Sequence, residues 1–213
     1  MKIRDIMSHN VVTISSNVSI SEAKRIMAAH KIRRLPVVDK GKLVGIVTER
    51  GVERVSPSKA TSLSVWELSY LLEKTPVKDI MEKEVVWVSP DMSAEEALTL
   101  AQTRKVGSLI VMDEGYIVGI TTTNDFFYSI INPLLGIGMP GKRIEVKGGG
   151  EGKAMQDIVT LINNQGLKFN SIHLEHNAEQ NTRDACFHIE SENADKLLAA
   201  LKEKGYEGSI RTR

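Results

Sequence analysis

Apolar positions in the first half of the chain fall into two series with the same internal order. Residues 11–14 are a short β-branched run that predicts a strand. Ser19 then offers an N-cap, with Glu22 completing a capping box. Ile20, Ala23, Ile26 and Met27 recur at helical spacing until the pattern fades at His30 and Lys31. Residues 35–39 and 43–47 are two largely apolar runs around Lys40-Gly41-Lys42, the pattern of a hairpin with both strands mostly buried. The series returns as a strand over 85–88, a helix from Ser93 with Glu96, and a hairpin of residues 108–113 and 116–121 around Gly115. Each series predicts strand, helix, strand, strand and helix.

The two series are copies. Residues 3–52 overlay residues 77–126 without a gap, so that Ile3-Arg4-Asp5-Ile6-Met7 falls on Val77-Lys78-Asp79-Ile80-Met81. Likewise Leu43-Val44-Gly45-Ile46-Val47-Thr48 falls on Ile117-Val118-Gly119-Ile120-Thr121-Thr122. Self-similarity at fixed spacing signals one folding unit used twice. Two copies suit a pair packed about a pseudo-twofold axis with paired clefts. Between them, Ser56-Pro57-Ser58-Lys59 interrupts regular structure and residues 63–74 predict a short amphipathic helix. Its Trp66, Tyr70 and Leu71 share an apolar face, read as local packing ahead of a partner surface.

After Asn132-Pro133 the composition changes, and Gly136, Gly138, Pro140 and Gly141 predict a linker. A third unit follows: a strand over 143–146, a glycine loop at 148–150, and a helix over 153–164 with Ile158, Leu161 and Ile162 inward, stopped by Gly166. Strands over 171–175 and 185–190, a helix over 193–204 and a strand over 208–211 complete the order βαββαβ, which predicts a ferredoxin-like sheet with two helices on one face. The expected fold class is mixed α/β (α+β). Its domains are repeat 1 at 1–55, a linker with a short helix at 56–76, repeat 2 at 77–132, a linker at 133–142 and a βαββαβ domain at 143–213.

Composition narrows the function. With 213 residues and 41% hydrophobic content, the chain is large enough for real cores. A formal charge of +1 gives no global field toward nucleic acid or an anionic membrane, so any anion site must be local. The single cysteine, Cys186, rules out an internal disulfide framework and fits a reducing compartment. No run approaches the roughly 20 apolar residues of a membrane span and the first residues lack a signal-type apolar stretch, so the expected location is the cytoplasm.

Residues 3–128 resemble a tandem pair of cystathionine-β-synthase (CBS) domains. Two motifs carry this: Lys31-Ile32-Arg33-Arg34-Leu35-Pro36-Val37-Val38-Asp39 and the signature Gly119-Ile120-Thr121-Thr122-Thr123-Asn124-Asp125, both repeated at one offset. Residues 143–211 resemble an ACT domain in element order and in Glu151-Gly152-Lys153-Ala154-Met155. The whole arrangement, including residues 56–68 between the repeats, is similar to acetoin-utilisation B type proteins.

The CBS resemblance implies an adenosine-containing ligand: AMP, ADP, ATP or S-adenosylmethionine as a regulatory molecule, with no cofactor required. Asp125 would accept the ribose cis-diol, each charge-assisted bond contributing about 1.5–3 kcal/mol. Thr122 and the neighbouring Asn124 would lie beside ribose or phosphate. Arg33, Arg34 and Arg50 of the other repeat would hold phosphate through planar guanidinium forks. Adenine would rest on Val85 and along Val106-Gly107-Ser108. Repeat 1 has Gly51 where repeat 2 has Asp125, and repeat 2 has Gly107-Ser108 where repeat 1 has Arg33-Arg34. Both losses fall in one cleft, which predicts a single competent site built from Asp125, Thr122, Arg33 and Arg34.

Plainer roles compete. Arg33 and Arg34 also suit solvated charges at a strand start, Asp125 a helix N-cap, and His30 a partner for a helix C-terminus. Gly152-Lys153 is not a Walker loop, because Lys147 and Ala154 stand where the pattern needs glycine and Ser/Thr. The ACT resemblance instead gives Gly150, Glu151 and Gly152 to a mobile loop meeting an amino-acid carboxylate, or to a flexible linker. His173, Cys186 and His188 share a sheet face, but without a close-set CxxC pair they are read as exposed polar residues and no metal is assigned.

No nucleophile–base set, HExxH or dinucleotide fingerprint argues for an enzyme, and no basic aromatic stripe argues for nucleic-acid binding. The expected protein is a non-catalytic sensor, with a homodimer and an unnamed protein target as partners. A structural adaptor is the alternative.

Overall fold

The computed structural model describes residues 1–55, 64–178, 181–191 and 194–211. The interruption expected at Ser56-Pro57-Ser58-Lys59 lies outside the described residues, as do the first residues expected in two of the helices, Leu63 and Asn193. The chain divides into two compact units, Met1–Phe126 and Phe127–Arg213.

In the first unit, repeat 1 comprises α1 (Ile20–His30), β1 (Arg34–Asp39), β2 (Lys42–Thr48) and α2 (Glu49–Val55). α3 (Val65–Lys74) follows. Repeat 2 comprises β3 (Trp87–Val88), α4 (Ala94–Thr103), β4 (Ser108–Asp113), β5 (Tyr116–Thr122) and α5 (Thr123–Phe126). The capping serines start α1 and α4: Ser19 Oγ accepts from Glu22 N at 3.1 Å and Ser93 Oγ from Glu96 N at 3.2 Å. Lys31 and its counterpart Lys105, both in the left-handed region, turn the chain out of these helices. Ile20, Ala23 and Met27 face Leu35, Val37, Val47 and Val52, forming the core of repeat 1.

The leading strand of each repeat needs correction. Residues 11–14 form no strand; Ile14 makes one isolated parallel bridge to Val37. Residues 85–88 shorten to the two residues of β3, parallel to β4. In each copy only the end of the expected strand pairs with its own hairpin, and the chain just before it crosses to the other copy. The opening segment of each copy pairs with the hairpin of the other: Ser8 and Ile120 exchange both backbone bonds at 2.9 and 3.0 Å, as do Ile46 and Glu82 at 2.9 Å each. Gly45 and Gly119 permit this approach. A Cβ on Gly45 would lie 2.6 Å from Met81 Sδ, and one on Gly119 2.5 Å from Met7 Sδ. The duplication therefore builds one interlocked unit.

α3 packs on α1, and Leu72 reaches the repeat 1 core. Trp66, Tyr70 and Leu71, expected to pack locally, are instead exposed, Trp66 at 86%. The face toward α1 is a different one, leaving the aromatic stripe outside.

The second unit opens with a π-type turn (Phe127–Ile131) and α6 (Asn132–Leu135). β6 (Lys142–Val146), α7 (Gly152–Asn164), β7 (Phe169–Asn177), β8 (Thr182–Ile189), α8 (Asp195–Glu203) and β9 (Gly208–Arg211) follow. The sheet order is β7-β8-β6-β9 and every neighbouring pair is antiparallel, the ferredoxin-like arrangement. Ile144, Val146, Ala185, Phe187 and Ile189 face Ile158, Ile162, Leu197 and Leu201 across one core.

Residues 133–142 are not a free linker. α6 packs on β7, Arg143 donates to Leu135 O, and His188 Nε2 lies 3.0 Å from Pro140 O. This strap covers part of the sheet face opposite the helices. Cys186 and His188, expected as exposed, are buried, at 1% and 2% exposure, and His188 lies directly against the strap.

Candidate functional site

The signature turns of both copies end at one place. Arg34 pairs with Thr48 across β1 and β2, and Ser108 with Thr122 across β4 and β5. Just beyond, Glu49 N donates to Arg33 O at 2.9 Å and Thr123 N to Gly107 O at 3.4 Å. The same contact thus ties each hairpin to the helix that follows it. Between them lies a depression of about 260 Å³, lined by Arg33, Arg34, Thr48, Glu49 and Arg50 from repeat 1 and by Thr122, Thr123 and Asn124 from repeat 2.

Asp125 stands directly after this lining and is half-buried. Its Oδ2 accepts from Thr122 N at 2.7 Å and from Thr122 Oγ1 at 2.8 Å. The carboxylate, on the third residue of α5, thus reaches back to the residue before the helix, as the acidic member of a capping box does. Gly51 has no side-chain oxygen to do the same, and there the threonine hydroxyl accepts instead: Gly51 N donates to Thr48 Oγ1 at 3.0 Å. Thr122 directs its hydroxyl proton at Asp125 and keeps lone pairs to accept with. Thr48, having accepted a backbone N–H, keeps its proton to donate.

The arginines set the electrostatics. Arg34 is half-buried, and its guanidinium lies over Gly107, where a Cβ would come 2.5 Å from Nη2. Burial, then the like charge of Arg33, pull the Arg34 pKa below its ordinary value, with Glu82 opposing them. Arg33 reaches Glu49 at 3.7 Å, a long exposed pair that holds neither side chain firmly. Among the described residues, Arg34 and Arg50 have no carboxylate at ion-pair distance.

The structure therefore brings Arg33, Arg34, Arg50, Thr122 and Asn124 to one depression, with Asp125 behind them and Gly107 beneath Arg34. Ser108 sits beside Thr122 on the neighbouring strand, and Val106 is half-buried, its N–H held by Ala101 O at 3.0 Å. Val85 lies apart: it lines a separate depression of about 430 Å³ with Lys42, Lys83, Trp87 and Met112. Thr48, Glu49 and Thr123 were not singled out by the sequence. The overlay carried the signal, since Thr48 is the counterpart of Thr122.

In the second unit the backbone donors of the glycine loop are engaged within the fold. Gly148 N donates to Asp184 Oδ1 at 2.8 Å, Gly149 N to Val146 O at 3.0 Å, Gly150 N to Arg183 O at 2.8 Å and Glu151 N to Gly148 O at 3.2 Å. Glu151 Oε1 accepts from Arg183 N at 3.2 Å and pairs with Arg183 Nε at 3.3 Å, while Gly152 opens α7. These four consecutive donors are all engaged by acceptors of the chain itself, Gly148 N by the Asp184 carboxylate and the others by backbone carbonyls. His173 Nε2 contacts Glu175 Oε1 at 3.2 Å, and no group of three metal-binding side chains occurs among the described residues. No described helix is long and apolar enough to cross a membrane.

Comparison with known proteins agrees with the geometry of the first unit. The sequence profile of the CBS domain matches residues 3–57 and 77–132. The CBS domain-containing protein YhcV of Bacillus subtilis is 30% identical over 58% of this chain and 81% of its own length. An inosine-5'-monophosphate dehydrogenase of Korarchaeum cryptofilum is 35% identical over 58% of the chain, but the match spans only 23% of that enzyme. Among solved structures, the acetoin utilization protein AcuB of Vibrio cholerae superposes with a TM-score of 0.52 at 32% identity, covering 64% of this chain and 94% of that one. The CBS domain pair of MJ0100, solved in complex with 5'-methylthioadenosine and S-adenosyl-L-methionine, superposes with a TM-score of 0.51 at 27% identity, over 62% of this chain and 97% of that one.

Proposed function

The chain belongs to the CBS-domain family, and on that premise we propose that it is a non-catalytic regulatory protein binding an adenosine-containing ligand at the depression between its two signature turns. One observation carries this reading: three arginines of repeat 1 meet Thr122, Asn124 and the adjoining Asp125 of repeat 2 within one unit. The ligands bound by the MJ0100 pair support an adenosyl class. The partial match to the dehydrogenase fits a CBS pair that serves as a regulatory part and leaves chemistry to other domains. A ligand regulates only by binding two conformations unequally, and a site assembled from both repeats senses any shift of one against the other. In the second unit, the ferredoxin-like sheet supports an ACT-type module, and the internally held loop donors favour protein contact over amino-acid binding as its part in regulation.

The ribose contact is tested by calorimetric titration of the full chain with AMP. Asp125→Ala is expected to lower affinity below detection and Gly51→Ala to leave it unchanged. Asp125 also accepts two hydrogen bonds from Thr122, a contribution of about 1 kcal/mol each to the fold, so unaltered protein should independently bind 2'-deoxy-AMP more weakly than AMP. Full affinity of Asp125→Ala for AMP, or equal affinity for the deoxy analogue, sinks the diol assignment.

A further inference from the structure

We infer that the depression holding Val85, at the turn ends of the hairpins in the first unit, is a second ligand site for a planar aromatic anion, stacked on Trp87 and held by Lys83 and Lys42. It does not rest on the proposed adenosine site. Lys42 opens β2 and Thr48 closes it. At about 3.4 Å per residue, that strand sets the two depressions roughly 20 Å apart. They share no lining residue. The two copies differ at this depression selectively. Its apolar floor is kept in kind, since the overlay puts Leu43, Val85 and Met112 on Ile117, Val11 and Val38. The groups able to hold an aromatic anion are not, since Lys42, Lys83 and Trp87 fall on Tyr116, His9 and Thr13. Both ammoniums and the indole therefore meet at one of two related places, although they come from separate segments of the chain.

Trp87 is 58% exposed, yet its backbone is fixed by pairing with Ile110 in the parallel ladder of β3 and β4. An indole anchored in this way, beside half-buried Leu43, Val85 and Met112, offers a flat face whose contact with an aromatic ring removes apolar surface from water. No carboxylate lines the depression, so the lysines set its sign. Each ammonium is a point charge on a flexible stem and can follow an anionic group projecting from the ring. The volume of about 430 Å³ lies within the roughly 300–1,000 Å³ of small-molecule sites. Lys42 and Leu43 belong to repeat 1 and the other lining residues to repeat 2, so an occupant touches both copies.

The test is a nuclear magnetic resonance titration of the isotope-labelled full chain, reading the indole N–H signals of its two tryptophans, Trp66 and Trp87. The probes are 2-naphthoate and its uncharged analogue 2-naphthamide. Naphthoate should shift the Trp87 indole and the backbone signals of Leu43 and Met112, and bind at least about tenfold more tightly than naphthamide, the yield of one charge-assisted contact. Lys83→Gln, at an exposed position, should remove most of that margin, and Trp87→Ala should weaken both probes. Saturating AMP should leave naphthoate binding in place. No shift of Trp87 at millimolar naphthoate, or equal affinity for the two probes, overturns the inference. Shifts of Trp66 as large as those of Trp87 also overturn it, by reducing the binding to general adhesion at exposed indoles. An unchanged margin in Lys83→Gln removes that lysine from the site. Displacement of naphthoate by AMP makes the depression part of the adenosine site and overturns the inference, whereas failure of AMP to bind at all overturns the adenosine reading alone.

Discussion

Asp184 shows how much one side chain can hold in this protein. It is buried at the start of β8, where Oδ1 accepts from Gly148 N and Oδ2 from Asn177 Nδ2 at 2.9 Å. These bonds, the backbone one first, hold its carboxyl below the usual carboxylate range. A depressed carboxylate contributes stability above its unfolded value, near pH 3.9, and that contribution is lost as pH falls through the lower folded value. Asp184→Asn is expected to destabilise the second unit by about 1–3 kcal/mol at pH 7. The gap to the unaltered protein should narrow below about pH 4. Urea denaturation at several pH values measures it, and a gap that widens on acidification contradicts the assignment. At the same scale, the exchange of Asp125 for Gly51 was legible in the sequence, since the overlay aligns them. The exchange of donor for acceptor at the threonine hydroxyl was not, because direction depends on where a side chain points.

Among the elements, the hairpins and capped helices agree with the sequence closely because their signals are local. Ser93 and Glu96 sit three residues apart, and turn geometry at Lys40-Gly41 and Glu114-Gly115 follows from positive φ at each pair. The failures share a cause. Residues 11–14 have strand composition, yet pairing partners decide strands, and the neighbouring backbone is engaged by the opposite repeat. The strap failed similarly: glycine and proline at 136–141 mark loose chain, whereas here Gly136 adopts φ +63° so that the strap can lie on His188. Its absent side chain is what allows contact, because a Cβ would collide with the His188 ring at Nδ1. Gly136→Ala is expected to lower the stability of the second unit by about 1–3 kcal/mol through overpacking, beyond the strain of the left-handed backbone. Gly138→Ala is the control, with φ +78° but nothing within 4 Å of its Cβ. Equal unfolding midpoints for the two variants would refute the contact.

For the whole molecule, two units with separate cores predict separable responses. A ligand that binds only the folded first unit raises its unfolding temperature by mass action, about 2.7 kcal/mol when present at 100 times Kd. Calorimetric scans of the full chain with AMP should show the transition of the first unit move upward while that of the second stays in place. Amino acids should move neither, since the loop donors from Gly148 to Glu151 are internally bonded. A shift of the second transition by an amino acid would restore ligand binding to that unit.

The sequence by itself determined the duplication, the helices and hairpins of both copies, the βαββαβ order of the second unit, and the asymmetry between Asp125 and Gly51. All of these rest on periodicity, capping and alignment, which act over a few residues or one fixed offset. Only the tertiary structure decided that the leading segments exchange partners, that Cys186 is buried and the strap lies on His188, and that Arg34 lies on Gly107 beside Thr122 while Val85 lines another depression. Those outcomes bring together residues distant in sequence, and burial and steric fit between such segments have no counterpart in local pattern.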